Sequence, residues 1–177
     1  LNAGQTCIAP DYVLLTGEQI PRFIESAKEQ FQKLYPDFPS SEHYTSIINE
    51  THYQRLQGLL KDAKEKGAKF FPLGDYKEEL SSQSRIIAPT LVTDTKPEMR
   101  IMQEEIFGPL LPLVSFKGFN QAKEYINERP RPLALYYFDT NKKLINRVLH
   151  ETIAGGVTIN DTLLHISQEH LPFGGVG

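Results

Sequence analysis

The order of secondary structure is clearest in residues 110–160, which read LLPLVSFKGFNQAKEYINERPRPLALYYFDTNKKLINRVLHETIAGGVTIN. Three apolar runs in this stretch have strand length and little alternation, as in strands buried on both faces: Leu110–Phe116, Leu133–Phe138 and Gly156–Asn160. Segments of helical period separate them, at Phe119–Glu128 and Thr140–Glu151. Because strands joined through helices form parallel crossovers, the sequence predicts an α/β fold: a mostly parallel open sheet with helices on both faces.

The first half of the chain contains the same mixture of elements. Helical periodicity covers Glu18–Leu34 and recurs from about Thr51 to Lys66, with Asn49 or Thr51 as the N-cap of the second helix. Runs of strand length are found at Asp11–Leu15, Phe70–Leu73 and Ile86–Val92. Two polar segments are predicted as loops, Tyr35–Tyr44 and Glu78–Ser84.

Length and composition restrict the class of protein. The chain has 177 residues, a net charge of -3 and one cysteine, and we expect one domain over residues 1–177. The charge does not favour nucleic-acid binding, and no apolar run is long enough to span a bilayer. Without a signal-peptide pattern or an internal disulfide, a cytoplasmic protein is expected, and no metal site is predicted.

The only cysteine follows the segment Asn2-Ala3-Gly4-Gln5-Thr6. A cysteine in a cytoplasmic domain is most often a buried structural thiol. Here the preceding residues are small and polar, which does not fit an apolar core strand. A thiolate is the nucleophilic form, and backbone N–H groups at a turn can stabilise it and later an oxyanion. The residues alone therefore support a cysteine nucleophile only as one possibility.

The segment Asn2-x-Gly4-Gln5-x-Cys7 resembles the active-site signature of the aldehyde dehydrogenase family, in which the cysteine attacks the substrate carbonyl. A second segment, Glu104–Pro109, resembles the cofactor segment of that family. The resemblance implies that Glu105 binds the nicotinamide ribose and that Phe107 packs near the nicotinamide. Without the resemblance, these residues read as a solvated helix end followed by a core phenylalanine.

Two further segments are similar to the branch of the family that contains class 3 and coniferyl aldehyde dehydrogenases. Pro132–Phe138 matches a buried strand and is assigned no chemistry. The motifs at residues 155–161 and 171–177 imply a substrate pocket that includes Asn160 and Phe173, with His165 as a weaker candidate.

The resemblance implies oxidation of a small-molecule aldehyde to a carboxylic acid, with hydride transfer to NAD or NADP through a cysteine thiohemiacetal and thioester. The expected substrates are hydrophobic or aromatic aldehydes such as coniferyl aldehyde, and the expected assembly is a homodimer or higher homo-oligomer. The family's general-base glutamate and oxyanion asparagine precede the cysteine. We therefore expect residues 1–177 to be the catalytic domain of a longer enzyme, without its upstream cofactor-binding domain and C-terminal tail, and inactive in isolation.

Two other classes of function remain open on the sequence. A cysteine hydrolase can also place a glutamine before its thiol, but it needs a histidine partner, and nothing in the sequence assigns one to Cys7. A non-catalytic paralogue would keep the fold without the activity, and the presence of both Cys7 and Glu105 argues against it.

Overall fold

A computed structural model describes residues 1–74 and 84–176 of the chain. The described residues contain six strands: β1 (Val13–Thr16), β2 (Lys69–Pro72), β3 (Thr90–Thr93), β4 (Leu110–Phe116), β5 (Ala134–Tyr137) and β6 (Gly156–Ile159). They also contain four α-helices: α1 (Gln19–Leu34), α2 (Glu50–Glu65), α3 (Phe119–Asn127) and α4 (Lys142–Glu151). Short 3-10 helices lie at Asn2–Gly4, Arg100–Met102 and Leu164–Ser167.

The chain divides into two compact units. The first consists of residues 1–6 and 10–115, and the second of residues 7–9 and 116–177. The turn that carries Cys7 therefore belongs to the second unit, although it is far in sequence from the rest of that unit.

The first unit is built on a four-stranded sheet in the order β1-β4-β3-β2. Strand β3 pairs parallel with β4 and antiparallel with β2. Successive residues of β3 point to opposite faces: Val92 packs with helix α2, and Leu91 packs with helix α1. This sheet thus has a helix on each face, and the predicted α/β class is confirmed.

Helix α2 shows how local sequence fixes one of these elements. The side chain of Asn49 accepts a hydrogen bond from the His52 backbone N–H at 2.9 Å, so Asn49 is the N-cap rather than Thr51. Gly67 lies just beyond the end of the helix with φ +94°, a conformation that suits glycine. The buried face of the helix carries Tyr53, Leu56, Leu59 and Ala63.

The second unit has a separate parallel pair of strands, β5 and β6, joined by α4. This βαβ connection confirms the predicted parallel crossover. Strand β4, however, lies in the four-stranded sheet, so the three strands of residues 110–160 are shared between two sheets. The expectation that all three are buried on both faces is wrong for β5 and β6, which are mostly half-buried. A two-stranded ribbon has fewer neighbours to cover it than a strand inside a larger sheet.

Strand β3 begins later than the sequence predicted, at Thr90 rather than Ile86. Ile87 and Ala88 are fully buried, which explains the apolar signal, but they precede the strand. Pro89 has no N–H to donate to a ladder, so it is suited to the position before the first paired residue. The predicted loop Glu78–Ser84 lies almost entirely outside the described residues. No helix within residues 1–74 and 84–176 is long and apolar enough to cross a membrane.

Candidate active site

The thiol of Cys7 is exposed and lies in a turn. It closely follows an unusual stretch of backbone in which Asn2, Ala3 and Gly4 all have positive φ, at 49°, 49° and 73°. A left-handed conformation costs about 1–2 kcal/mol for a residue such as alanine, so neighbouring groups must hold this turn. The Gln5 backbone N–H donates to the Asn2 carbonyl at 3.0 Å, and the Asn2 side-chain amide donates to the Gln5 carbonyl at 3.0 Å.

The side chain of Gln5 fixes this turn to the segment that leads into α2. Its Nε2 donates to the Ser46 carbonyl at 3.1 Å, and its Oε1 accepts from the Ile48 N–H at 2.9 Å. Both ends of the amide are thus used to bind backbone 41 and 43 residues away. The glutamine of the signature therefore has a structural role in this chain.

Gly4 lies directly against the second motif. A Cβ atom at Gly4 would overlap the Gly108 carbonyl, and a Cβ atom at Gly108 would lie 2.5 Å from Cδ2 of the buried Leu56. Real Cβ atoms do not approach other heavy atoms so closely. Glycine is therefore required at position 4, where the overlap is with backbone, whereas a side chain at position 108 would displace the buried Leu56. Residues 104–109 are thus packed between the N-terminal turn and helix α2.

The two adjacent glutamates of this motif have different surroundings. Glu104 forms an ion pair with Arg100 at 2.7 Å, and hydrogen bonding to Arg100 lowers the pKa of Glu104. The Glu105 side chain is exposed, and its carboxylate has no hydrogen-bond or ion-pair partner in the part of the chain that the structure describes. Glu105 is thus the carboxylate that is available to a ligand.

Phe107 follows Glu105 on a backbone that alternates between exposed and buried residues. Ile106 is buried, Phe107 is 37% exposed and Gly108 is buried. Phe107 has φ +46°, so this non-glycine residue is held in a left-handed conformation. The ring is not the core phenylalanine that the residues alone suggested.

Two charged side chains bind the backbone just before Phe107. Arg55 donates from Nη1 to the Glu105 carbonyl at 3.0 Å and from Nη2 to the Ile106 carbonyl. Asp11 accepts from the Ile106 N–H at 3.0 Å. Burial raises the pKa of Asp11, the Ile106 hydrogen bond opposes this rise, and the nearby Glu105 charge adds to it.

In the second unit, Tyr136 of β5 supports the residue after Cys7. Its hydroxyl donates to the Ile8 carbonyl at 2.8 Å, and Ile8 is 2% exposed. Burial is the main cause of a raised pKa for Tyr136, a backbone hydrogen bond with Leu163 opposes this rise, and a coulombic effect of Cys7 adds to it. The prediction that this strand serves only as core is therefore incomplete.

The three substrate-pocket candidates have distinct environments in the second unit. The Asn160 amide is bonded at both ends to the Asp139 backbone, at 2.9 and 3.0 Å. The His165 ring contacts Thr158 Oγ1 at 2.9 Å and lies so close to Gly156 that a Cβ there would come within 2.5 Å of it. Phe173 is 57% exposed, so its ring is available for an apolar contact.

The sequence alone does not indicate roles for Asp11, Arg55 and Tyr136. For Arg55 there is one weak indication, because it is next in sequence to Leu56, which lies on the buried face of helix α2. Asp11 and Tyr136 left none, because each acts on backbone atoms that any residue would provide.

Comparison with known proteins gives one consistent result. The family model described as "Aldehyde dehydrogenase family" matches residues 1–177. A probable coniferyl aldehyde dehydrogenase of Pseudomonas aeruginosa is 50% identical over 100% of this chain, which spans only 36% of that relative's length. A dimeric NADP-preferring aldehyde dehydrogenase of Bos taurus is 42% identical over 100% of this chain and 71% of its own length. The substrate-bound structure of Staphylococcus aureus AldH matches with a TM-score of 0.88 and 38% identity, covering 99% of this chain and 37% of its own.

Proposed function

Because the chain belongs to the aldehyde dehydrogenase family, we propose that these residues are a segment of a full-length enzyme that oxidises aldehydes to carboxylic acids. Cys7 is the nucleophile of this reaction. Its thiolate adds to the carbonyl carbon, forming a C–S bond and moving the electron pair of the C=O bond onto the oxygen. The Cys7 backbone N–H donates to that oxyanion, together with the asparagine that precedes the cysteine in the family.

The second half of the reaction releases the acid. A nicotinamide held by Glu105 and Phe107 would supply the hydride acceptor for this step. Loss of the hydride from the thiohemiacetal carbon leaves a thioester on Cys7. Water, activated by the family's upstream glutamate, then attacks the thioester carbon. The C–S bond breaks, the carboxylic acid departs and the thiol is restored.

The main support for this proposal is that the thiol of Cys7 is exposed while hydrogen bonds hold the backbone on both sides of it. The Gln5 amide binds the backbone of Ser46 and Ile48 through both of its ends, which holds the turn before the cysteine, and the Tyr136 hydroxyl donates to the Ile8 carbonyl that follows the cysteine. A nucleophile gains from such positioning because the attacking atom is already close to its required place when the substrate binds. An exposed thiol also lets a substrate reach it, which a structural core cysteine would not.

Glu105 and Phe107 are the proposed cofactor contacts. A carboxylate without a protein partner can accept hydrogen bonds from both hydroxyls of a ribose, one at each oxygen. A partly exposed aromatic ring beside it offers an apolar surface to the nicotinamide. Both NAD and NADP fit these two contacts, because the ribose next to the nicotinamide is the same in each.

The proposed substrates are hydrophobic aldehydes, including aromatic ones such as coniferyl aldehyde. Support comes from the 50% identity to a probable coniferyl aldehyde dehydrogenase. The exposed ring of Phe173 adds an apolar surface in the second unit. We place Phe173, His165 and Asn160 in the substrate pocket. The role of Asn160 is indirect, because its amide is hydrogen-bonded to the Asp139 backbone and holds that backbone in place.

The test is aldehyde-dependent reduction of NAD and NADP by the full-length enzyme, compared with its Cys7→Ser variant. A serine hydroxyl is far less ionised than a thiol, so turnover is expected to fall by about a thousandfold or more. Cofactor binding, followed by quenching of protein fluorescence, serves as the control and is expected to be unchanged. A Cys7→Ser enzyme that keeps more than about a tenth of the wild-type rate would contradict the assignment of the nucleophile. A wild-type enzyme without activity on any aldehyde would identify a non-catalytic relative.

A further inference from the structure

The backbone of Glu105 and Ile106 is bound from two sides by charged side chains of distant segments. We propose that Arg55 and Asp11 are positioning residues, which set the place of the Glu105 carboxylate and the Phe107 ring for hydride transfer. This inference rests on the proposed function of Glu105 and Phe107. Neither Arg55 nor Asp11 contacts the cofactor in this scheme, since both act through the backbone between them.

Arg55 is suited to this role by the shape of its guanidinium group. Two of its nitrogens donate to two successive carbonyls, those of Glu105 and Ile106. The planar fork keeps the two donors at a fixed separation, so it fixes the orientation of the peptide unit between those carbonyls as well as its position. A lysine ammonium at the same place is a single point charge on a longer flexible stem and cannot reproduce this geometry.

Asp11 holds the same backbone through the Ile106 N–H. Its carboxylate is partly buried, and it feels the charges of both Glu105 and Arg55. Repulsion between Asp11 and Glu105 disfavours a Glu105 side chain that turns toward Asp11. It therefore favours the exposed orientation that the structure shows for Glu105.

The conformation of Phe107 explains why Arg55 and Asp11, which together we call the clamp, have to hold the backbone before it. A non-glycine residue at φ +46° is strained by about 1–3 kcal/mol and persists only when its surroundings over-determine it. On one side of Phe107, Arg55 and Asp11 hold residues 105 and 106. On the other side, Gly108 is wedged against Leu56 and Gly4. If the clamp is released, Phe107 can relax, and Glu105 moves with it.

The first experiment compares Arg55→Lys with Arg100→Lys in the full-length enzyme. Arg100 is the matched control because it binds the Glu104 side chain of the same segment but not the Glu105–Ile106 backbone. In single-turnover assays, Arg55→Lys is expected to slow hydride transfer by about tenfold to a hundredfold, with a much smaller change in cofactor affinity. Arg100→Lys is expected to leave both near the wild-type values. Equal effects of the two substitutions, or an unchanged hydride-transfer rate in Arg55→Lys, would overturn the proposal.

The second experiment tests the contact between Asp11 and the Ile106 N–H. It also tests the proposal if the Arg55→Lys variant does not fold. Asp11→Asn keeps an oxygen that can accept from the Ile106 N–H, whereas Asp11→Ala removes it. The asparagine variant loses only the repulsion toward Glu105, so its hydride-transfer rate is expected to lie between that of the wild type and the strongly reduced rate of the alanine variant. Two variants with the same rate would overturn the role of Asp11. An active enzyme in which Glu105→Gln also has no effect would instead refute the proposed function of Glu105.

Discussion

Glu104 and Glu105 are adjacent carboxylates that differ in what they contact. Glu104 is paired with Arg100, while Glu105 is exposed to solvent. We expect Glu105→Gln in the full-length enzyme to slow hydride transfer more than it weakens cofactor binding. The change keeps the shape of the side chain but removes a charge-assisted hydrogen bond, which is typically worth about 1.5–3 kcal/mol, or about tenfold to a hundredfold in rate. Stopped-flow measurement of nicotinamide absorbance, with separate titration of the cofactor, checks this.

Glu104→Gln is the control for that experiment. It removes a largely exposed i,i+4 ion pair, and exposed pairs contribute little to stability. We expect its turnover to stay close to that of the wild type. If Glu104→Gln abolishes hydride transfer while Glu105→Gln leaves it intact, the ribose contact has been assigned to the wrong glutamate.

At the scale of residues, the sequence motif could indicate Cys7, Glu105 and Phe107 but not the groups that hold them. Arg55 is 50 residues from Glu105 in sequence, and it binds backbone carbonyls. Such a contact places no demand on the type of side chain at its target, so it leaves no pattern there. The exposure and the left-handed backbone of Phe107 could not be predicted either, because a phenylalanine next to an apolar residue such as Ile106 normally indicates a core position.

Strand β5 carries two tyrosines that make different contacts. Tyr136 donates to the Ile8 carbonyl, next to Cys7, and Tyr137 donates to Asp139. We expect Tyr136→Phe to lower the rate of the chemical step in the full-length enzyme by about tenfold. The reason is that the nearly buried Ile8 carbonyl loses a donor, which costs about 1–3 kcal/mol and frees the turn that presents the thiol. Single-turnover kinetics and the rate of thiol alkylation measure both effects.

Tyr137→Phe provides the matched control, because it removes a hydroxyl from the same strand without touching the Cys7 turn. Burial, aided by the hydrogen bond to Asp139, raises the pKa of Tyr137 to about 12, and burial also raises the pKa of Tyr136. A raised pKa keeps each hydroxyl protonated, and therefore a donor, up to and beyond its usual titration range. The defect of Tyr136→Phe is thus expected to be constant between about pH 7 and 9. A defect that disappears within this range, or that Tyr137→Phe shares, would contradict the role given to Tyr136.

Among the secondary-structure elements, periodicity located helices α1 and α2 well because each has an apolar face that packs on the four-stranded sheet. Helix α2 was also marked by its cap at Asn49 and by Gly67 beyond its end. Strand β3 was misplaced by four residues because Ile87 and Ala88 are buried without pairing in the strand. Burial and strand pairing are separate properties, and apolar composition reports only the first.

For the whole molecule, the alternation of strands and helices was sufficient to predict the α/β class. It could not show that β4 joins one sheet while β5 and β6 form another. The apolar character of a strand indicates that it will be covered, but the choice of neighbour depends on contacts between residues far apart in sequence. The pairing of β3 with β4, for example, joins Thr90 to Leu110.

We expect a polypeptide of residues 1–177 alone to be catalytically inactive. It contains Cys7 and Glu105, but in the family the general-base glutamate and the oxyanion asparagine precede the cysteine. This chain spans 36% of the length of its Pseudomonas aeruginosa relative. General acid–base catalysis typically contributes about 10²–10⁴ in rate and one oxyanion donor about 10²–10³. We therefore expect the polypeptide to oxidise aldehydes at least about ten-thousandfold more slowly than the full-length enzyme.

The measurement is NAD and NADP reduction with coniferyl aldehyde, at equal concentrations of the polypeptide and the full-length enzyme. Circular dichroism establishes whether the helices form, and alkylation of Cys7 shows that the thiol remains reactive. A folded polypeptide with a reactive thiol but no cofactor reduction is the expected outcome, because an accessible nucleophile alone cannot complete the reaction. Reduction above about a hundredth of the full-length rate would show that residues 1–177 supply their own base and oxyanion donor. The roles assigned to the upstream residues would then have to be sought among the polar groups of this chain.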